Sequence, residues 1–182
     1  MRMRNALPYA FGFLLLVCAL LPGAGRTAEI DRFAGNYAGS AIFEFEDAWH
    51  TRELSTSIRA TKKGFTVTWT SLTYRGDGRS KQKSYTVDFV PSTRDHIYKS
   101  AMATNRFGKP TPLDPLQGEP FVWARIERDT FTVYSLSINE IGEYELQEYH
   151  RTLVKDGLNL LFRRVHNGVP EKEIRALLRR QD

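Results

Sequence analysis

Phe65-Thr66-Val67-Thr68-Trp69-Thr70 alternates large apolar side chains with threonine without a break. Successive side chains of an extended strand point to opposite faces. These six residues therefore bury Phe65, Val67 and Trp69 on one side and turn three β-branched hydroxyl residues to water on the other. A helix would scatter the same apolar residues around its circumference. Lys62-Lys63-Gly64 ahead of the strand is a tight hairpin turn, and Arg75-Gly76-Asp77-Gly78 beyond it is another.

The same period-two pattern extends both ways. Upstream, Leu54, Thr56, Ile58 and Ala60 alternate with Glu53, Ser55, Ser57 and Arg59. Before them Phe33, Gly35, Tyr37, Gly39, Ala41, Phe43 and Phe45 share one parity. Downstream, Tyr85, Val87 and Phe89 alternate with polar residues until Pro91. A weaker strand, His96–Met102, follows, and then Phe121–Ile126, Phe131–Ile138, Glu143–Leu153 and Leu158–Val165. Glu127-Arg128-Asp129, Asn139 to Gly142 and Lys155-Asp156-Gly157 join the last four of these. Short hairpins place sequence neighbours side by side, so the expected fold is all-β, an antiparallel meander. A sheet this large with one apolar face curls and closes, because open edges pair with other chains; the expectation is a barrel of 8–9 strands. On the longest late strand Tyr144 and Leu146 favour one face, while Tyr149, Arg151 and Leu153 favour the other, which predicts a bulge near Glu148. After Asn167-Gly168, Pro170 suits a first helical position. Glu171, Glu173, Arg179 and Arg180 suit the helix dipole, and Ile174, Leu177 and Leu178 fall at helical spacing. These residues predict a short helix, Glu171–Arg180, packed outside the barrel.

Residues 1–28 read as a secretion signal. Arg2 and Arg4 precede an apolar stretch from Ala10 to Leu21, and Pro22-Gly23-Ala24-Gly25 supplies small residues for cleavage after Ala24 or Gly25. An uncleaved anchor fits less well, the apolar core being short and bounded by Pro8 and Pro22. Lipidation fits less well too, since Cys18 lies inside that core. Residues 29–182 then form a single domain, exported to the periplasm or secreted, with no stable membrane span once the signal is removed. Cys18 is the chain's one cysteine, so the domain is held without a disulfide. The chain has 26 basic and 21 acidic residues, a formal charge of +5. Arg2, Arg4 and Arg26 precede Glu29 and no acid does, which leaves 23 against 21 from Glu29 onward. That mild balance does not point to nucleic acid. Repeated short turns at both ends of the meander, and a polar end at Arg179-Arg180-Gln181-Asp182, argue against an outer-membrane barrel.

Asp31-Arg32-Phe33-Ala34-Gly35-Asn36-Tyr37 resembles the opening of the lipocalin and wider calycin barrels, where an apolar residue precedes Gly-x-Trp at the first strand. Here Phe33, Gly35 and Tyr37 match, with Tyr in place of Trp, and the family's disulfide and middle motif are missing. The resemblance implies a calycin-like cup for a small apolar molecule, or a barrel put to another use. It also implies a basic residue of the last strand lying across the aromatic and closing one end. Arg163 or Arg164 is the candidate, with Arg151 behind them.

Tyr37, Phe43, Phe65, Trp69, Tyr85, Phe89, Trp123 and Phe131 are the candidate lining of that cup. The segment 103–120 carries four prolines and the apolar anchors Phe107, Leu113 and Leu116, so it is the candidate lid. His50, His96, His150 and His166 form no metal-ligand spacing, and no phosphate loop, dinucleotide glycine signature or nucleophile elbow occurs. No catalytic residue, metal or cofactor is assigned. The leading expectation is an exported soluble barrel binding a small apolar or amphipathic ligand, such as a lipid. A filled barrel serving as a non-catalytic module of the cell envelope is the second. A lid-gated enzyme is the third, and it would need acid, base or nucleophile gathered inside.

Overall fold

The computed structural model describes residues 29–45, 48–74, 78–100, 103–104, 110–111 and 113–182. The segment read as a secretion signal lies outside them, as do Cys18 and Phe107. The strands are β1 (Gly35–Phe45), β2 (Ala48–Thr61), β3 (Gly64–Tyr74), β4 (Ser80–Pro91), β5 (Ile97–Ser100), β6 (Ala103–Thr104), β7 (Pro110–Thr111), β8 (Phe121–Glu127), β9 (Thr130–Ile138), β10 (Tyr144–Val154), β11 (Gly157–His166) and β12 (Val169–Arg180). Ten of them close a barrel in the order β1-β12-β11-β10-β9-β8-β5-β4-β3-β2, every neighbouring pair antiparallel, while β6 and β7 pair apart from it. This architecture is compatible with a calycin-like fold.

All nine predicted strands are present, and the barrel has one more than the 8–9 expected. The extra strand is the predicted C-terminal helix. Residues 169–180 form β12, which pairs with β11 along its length and with β1 at Tyr37↔Arg180 and Ala38↔Arg179. Period two describes this segment better than helical spacing. Ile174 and Leu178 are buried with Ala176 half-buried between them, while Leu177, the third member of the supposed helical stripe, is 38% exposed. The competing force is closure: without β12, β1 and β11 would both be open edges. The turn ahead of it suits a hairpin, since Asn167 (φ 48°) and Gly168 (φ 81°) are both left-handed. At Gly39 the β12 backbone comes so close that a Cβ would stand 2.2 Å from the Leu177 carbonyl oxygen.

The predicted bulge near Glu148 is also corrected. The β10 strand runs in unbroken register against β9 and β11 through that position, and the irregularity lies at Arg164/Val165 between β11 and β12. The apolar residues of β10 change parity because the interior itself changes character. Glu145, Gln147, Tyr149, Arg151 and Leu153 all share the inward parity, and only the last three reach apolar surroundings.

One half of the interior is solid. Phe65 stacks on Phe89 at 5.2 Å and meets Tyr98 and Phe131 edge-on at 5.0 and 5.5 Å. A turn through residues 29–33 plugs this end: Ile30 and Phe33 are fully buried, and Phe33 lies 5.9 Å from Phe131. Each such ring contributes roughly 1.5–3 kcal/mol by leaving water. Glu29 ties the plug down through His96 Nδ1 at 2.7 Å and the hydroxyl of Tyr98, which donates to it at 3.0 Å; Arg32 pairs with Asp129. Barrel diameter grows with strand number, and eight strands leave room for little more than side chains. Ten strands therefore need this plug, and it fills only one end.

Candidate functional site

The other half of the interior is a cavity of about 150 Å³. Trp69 on β3, Tyr149 on β10 and Phe162 on β11 form a belt across it, with ring centroids 5.3 Å apart for the first pair and 4.9 Å for the second. Tyr85 on β4 stacks against Trp69 at 5.4 Å. Strand register makes this belt: Trp69 pairs with Tyr85 across β3/β4, and Tyr149 with Phe162 across β10/β11, so all four rings project inward.

One inward step below Tyr149 is Arg151, only 1% exposed, with its guanidinium 5.6–5.8 Å from the rings of Tyr149, Trp69 and Phe131. Its hydrogen bond from Nη1 to the Tyr149 carbonyl is long, 3.4 Å, and its Nε has no partner. Among the described residues no carboxylate lies within ion-pair distance of it. Burial pushes this guanidinium down to about 10, opposed by the neighbouring Tyr149 phenol, so it stays charged at neutral pH. Burial likewise pushes the Tyr149 phenol up to about 12, against the pull of the Arg151 charge.

Further cations line the walls: Arg52, Lys81, Lys83, Arg164 and Lys172, while among the described residues no Asp or Glu lines the cavity. Arg52 donates to Thr73 Oγ1 at 2.7 Å and lies over the Phe43 ring at 4.7 Å. Its pKa is held down by burial first and by the positive charge of Arg164 in addition. Arg164 Nε stands 3.0 Å from Glu171 and 3.8 Å from Glu145. Lys172 Nζ sits 4.2 Å from the Phe43 ring centre. Glu171 and Glu145 therefore serve the outer cation, Arg164, and not the deep one.

The predicted lining divides four ways. Trp69 and Tyr85 line the cavity. Tyr37, Phe65, Phe89 and Phe131 are buried in the filled half, and Phe43 is buried between Arg52 and Lys172. Trp123 is on the outer face, stacked on Tyr134 at 4.9 Å; β8 turns Val122, Ala124 and Ile126 inward instead. The residue lying across Tyr37 is Arg180, from the last strand: its guanidinium is 5.0 Å from the ring and donates to the Tyr37 hydroxyl at 2.7 Å. Arg163 faces outward to Glu173 at 3.1 Å, and Arg164 is in the cavity wall at the opposite end. Of the lid candidates Leu113 is half-buried and Leu116 is 79% exposed; the 3-10 turn Pro115–Gln117 carrying Leu116 lies against β9.

Sequence reading did not place Tyr149, Phe162, Arg52, Lys81, Lys83 or Lys172 in the cavity, and it named Arg164 and Arg151 only for the barrel-closing contact that Arg180 makes. The parity of β3 and β4 could have revealed Lys81 and Lys83, which continue the inward row of Phe89, Val87 and Tyr85. A search against protein-family models found no match, and neither did a search of curated proteins.

Proposed function

We propose that this chain is an exported, soluble β-barrel that takes a small amphipathic molecule into the open half of its interior. The observation that carries this reading is the cavity itself, an aromatic belt roofed by a cationic mouth inside a barrel whose other end is packed shut. A space of about 150 Å³ holds a benzene-sized group. It therefore takes a headgroup and a few carbons, with the remainder of a ligand passing out of the mouth. Solubility is supported by the outward rows: Thr66, Thr68 and Thr70 hydrogen-bond across to Asp88, Thr86 and Ser84, where a lipid-facing barrel would carry an apolar band. Export rests on the sequence of residues 1–28.

A second reading has its own observation. The packed half, with Phe33, Phe65, Phe89 and Phe131 filling it, would serve equally well in a non-catalytic structural module of the cell envelope. Native mass spectrometry of protein purified from its own host separates the two. The first reading predicts a processed N-terminus and a co-purifying small molecule lost on activation. A bare mass, with no thermal shift against a panel of fatty acids and phospholipids, would establish the second.

A further inference from the structure

Arg151 poses a question that the cup alone does not answer. A buried ion without a partner costs several kilocalories per mole even after relaxation, and the aromatic faces around this guanidinium return only part of that. A neutral apolar ligand would leave the cost in place. Glu145 and Glu171 stand against Arg164, nearer the mouth, and Glu145 also accepts from Gln147 Nε2. The guanidinium therefore sits at the floor of a cavity whose walls add Arg52, Arg164, Lys172, Lys81 and Lys83. Several like charges face one space, and among the described residues no acid lines it.

We propose that the floor of the cup is an oxyanion site, in which Arg151 receives the carboxylate or phosphate head of an amphipath whose tail lies along Trp69, Tyr85 and Phe162. This rests on the cup reading above and names the chemistry of its ligand. Guanidinium matches carboxylate and phosphate in a two-point fork, and such charged hydrogen bonds gain strength where water is excluded. Arg52 and Lys172, on either side of Phe43, add positive charge to the cavity walls. Lys81 and Lys83, exposed on the β4 side of the mouth, draw anions towards it.

The test is calorimetric titration of the purified protein, below micelle concentrations, with four ten-carbon probes: decanoate, decyl phosphate, decanol and decyltrimethylammonium. Acetate and inorganic phosphate are titrated alone. Decanoate or decyl phosphate is expected to bind about tenfold or more tightly than decanol, and the ammonium not at all. Arg151→Met should abolish the preference while retaining decanol binding, with cooperative unfolding showing that the variant folds. If decanol equals the anions in the wild type, or Arg151→Met keeps the preference, the oxyanion site is overturned and the cup survives. If acetate or phosphate alone binds as tightly as the decyl anions, the site is an oxyanion site for a free ion and the amphipathic reading fails. If no probe binds, both fall.

Discussion

Arg151 is held in place at a cost, and the size of that cost can be measured. Its desolvation amounts to several kcal/mol, whereas each cation–aromatic contact returns about 0.5–2 kcal/mol. Desolvation wins, so in ligand-free protein Arg151→Met should raise stability by about 1–4 kcal/mol. At about 2–4 °C per kcal/mol for a chain of this size, thermal melts would show it clearly. A lowered melting temperature would mean that the rings and the carbonyl hold the charge comfortably. Tyr149 gives a pH signature. Its folded pKa of about 12 exceeds the unfolded value of 10.0, so the unfolded chain releases this proton first as pH rises. The stability due to the buried neutral phenol is complete below pH 10 and is lost as pH climbs toward 12. Ultraviolet titration should find a tyrosine that ionises late, and Tyr149→Phe should remove both that step and its share of the alkaline stability loss. The sequence marked both residues, Arg151 as a candidate for closing the barrel, but not as the floor of a cavity. Arginine at an inward position of a strand reads as solvent-facing until the strands on both sides place it, and here those strands are β9 and β11.

At the level of the element, β12 is the most instructive segment. Ile174, Leu177 and Leu178 fit a helical stripe, and Glu171 and Arg180 fit a helix dipole, so local propensity and charge pointed the same wrong way. Tertiary closure overrode both: a strand here satisfies the edges of β1 and β11 at once, which a docked helix cannot do. The two readings make opposite demands on adjacent leucines. Leu178 is fully buried and Leu177 is 38% exposed. Leu178→Ala should therefore cost about 2–5 kcal/mol, and Leu177→Ala much less, as denaturant unfolding would show. Comparable losses at the two positions would favour the helix. Gly39→Val should be severely destabilising as well, because the β12 carbonyl occupies the space a side chain would need. The other nine strands were legible because each carries a period-two stripe bounded by a turn. The supposed bulge at Glu148 was a misreading of the same kind of stripe: on β10 the inward row passes from Leu153 and Tyr149 to Gln147 and Glu145, so apolarity stopped marking the interior.

For the whole molecule, the interior is divided along the barrel axis. The half containing Phe33, Phe65, Phe89 and Phe131 is core, and the half containing Trp69, Tyr149 and Arg151 is a cavity. The sequence shows aromatic residues in both, and a ring gains about the same free energy against core as against ligand, so aromatic content could not separate them. Charge could, once register had placed Arg52, Lys81, Lys83, Arg164 and Lys172 on inward rows. Closure also makes the barrel cooperative. Removing residues 169–182 should leave one edge each of β1 and β11 unpaired and yield protein that elutes as aggregate in size-exclusion chromatography; a stable monomer would show that the sheet does not need its tenth strand. The most direct measurement is the position of a bromine-tagged ten-carbon carboxylate in a crystal of the protein, located by anomalous scattering. The carboxylate is expected against the Arg151 guanidinium, with bromine beyond the aromatic belt toward Lys81 and Lys83. Bromine found only on the outer surface, at ligand concentrations that saturate binding in solution, would contradict the cup.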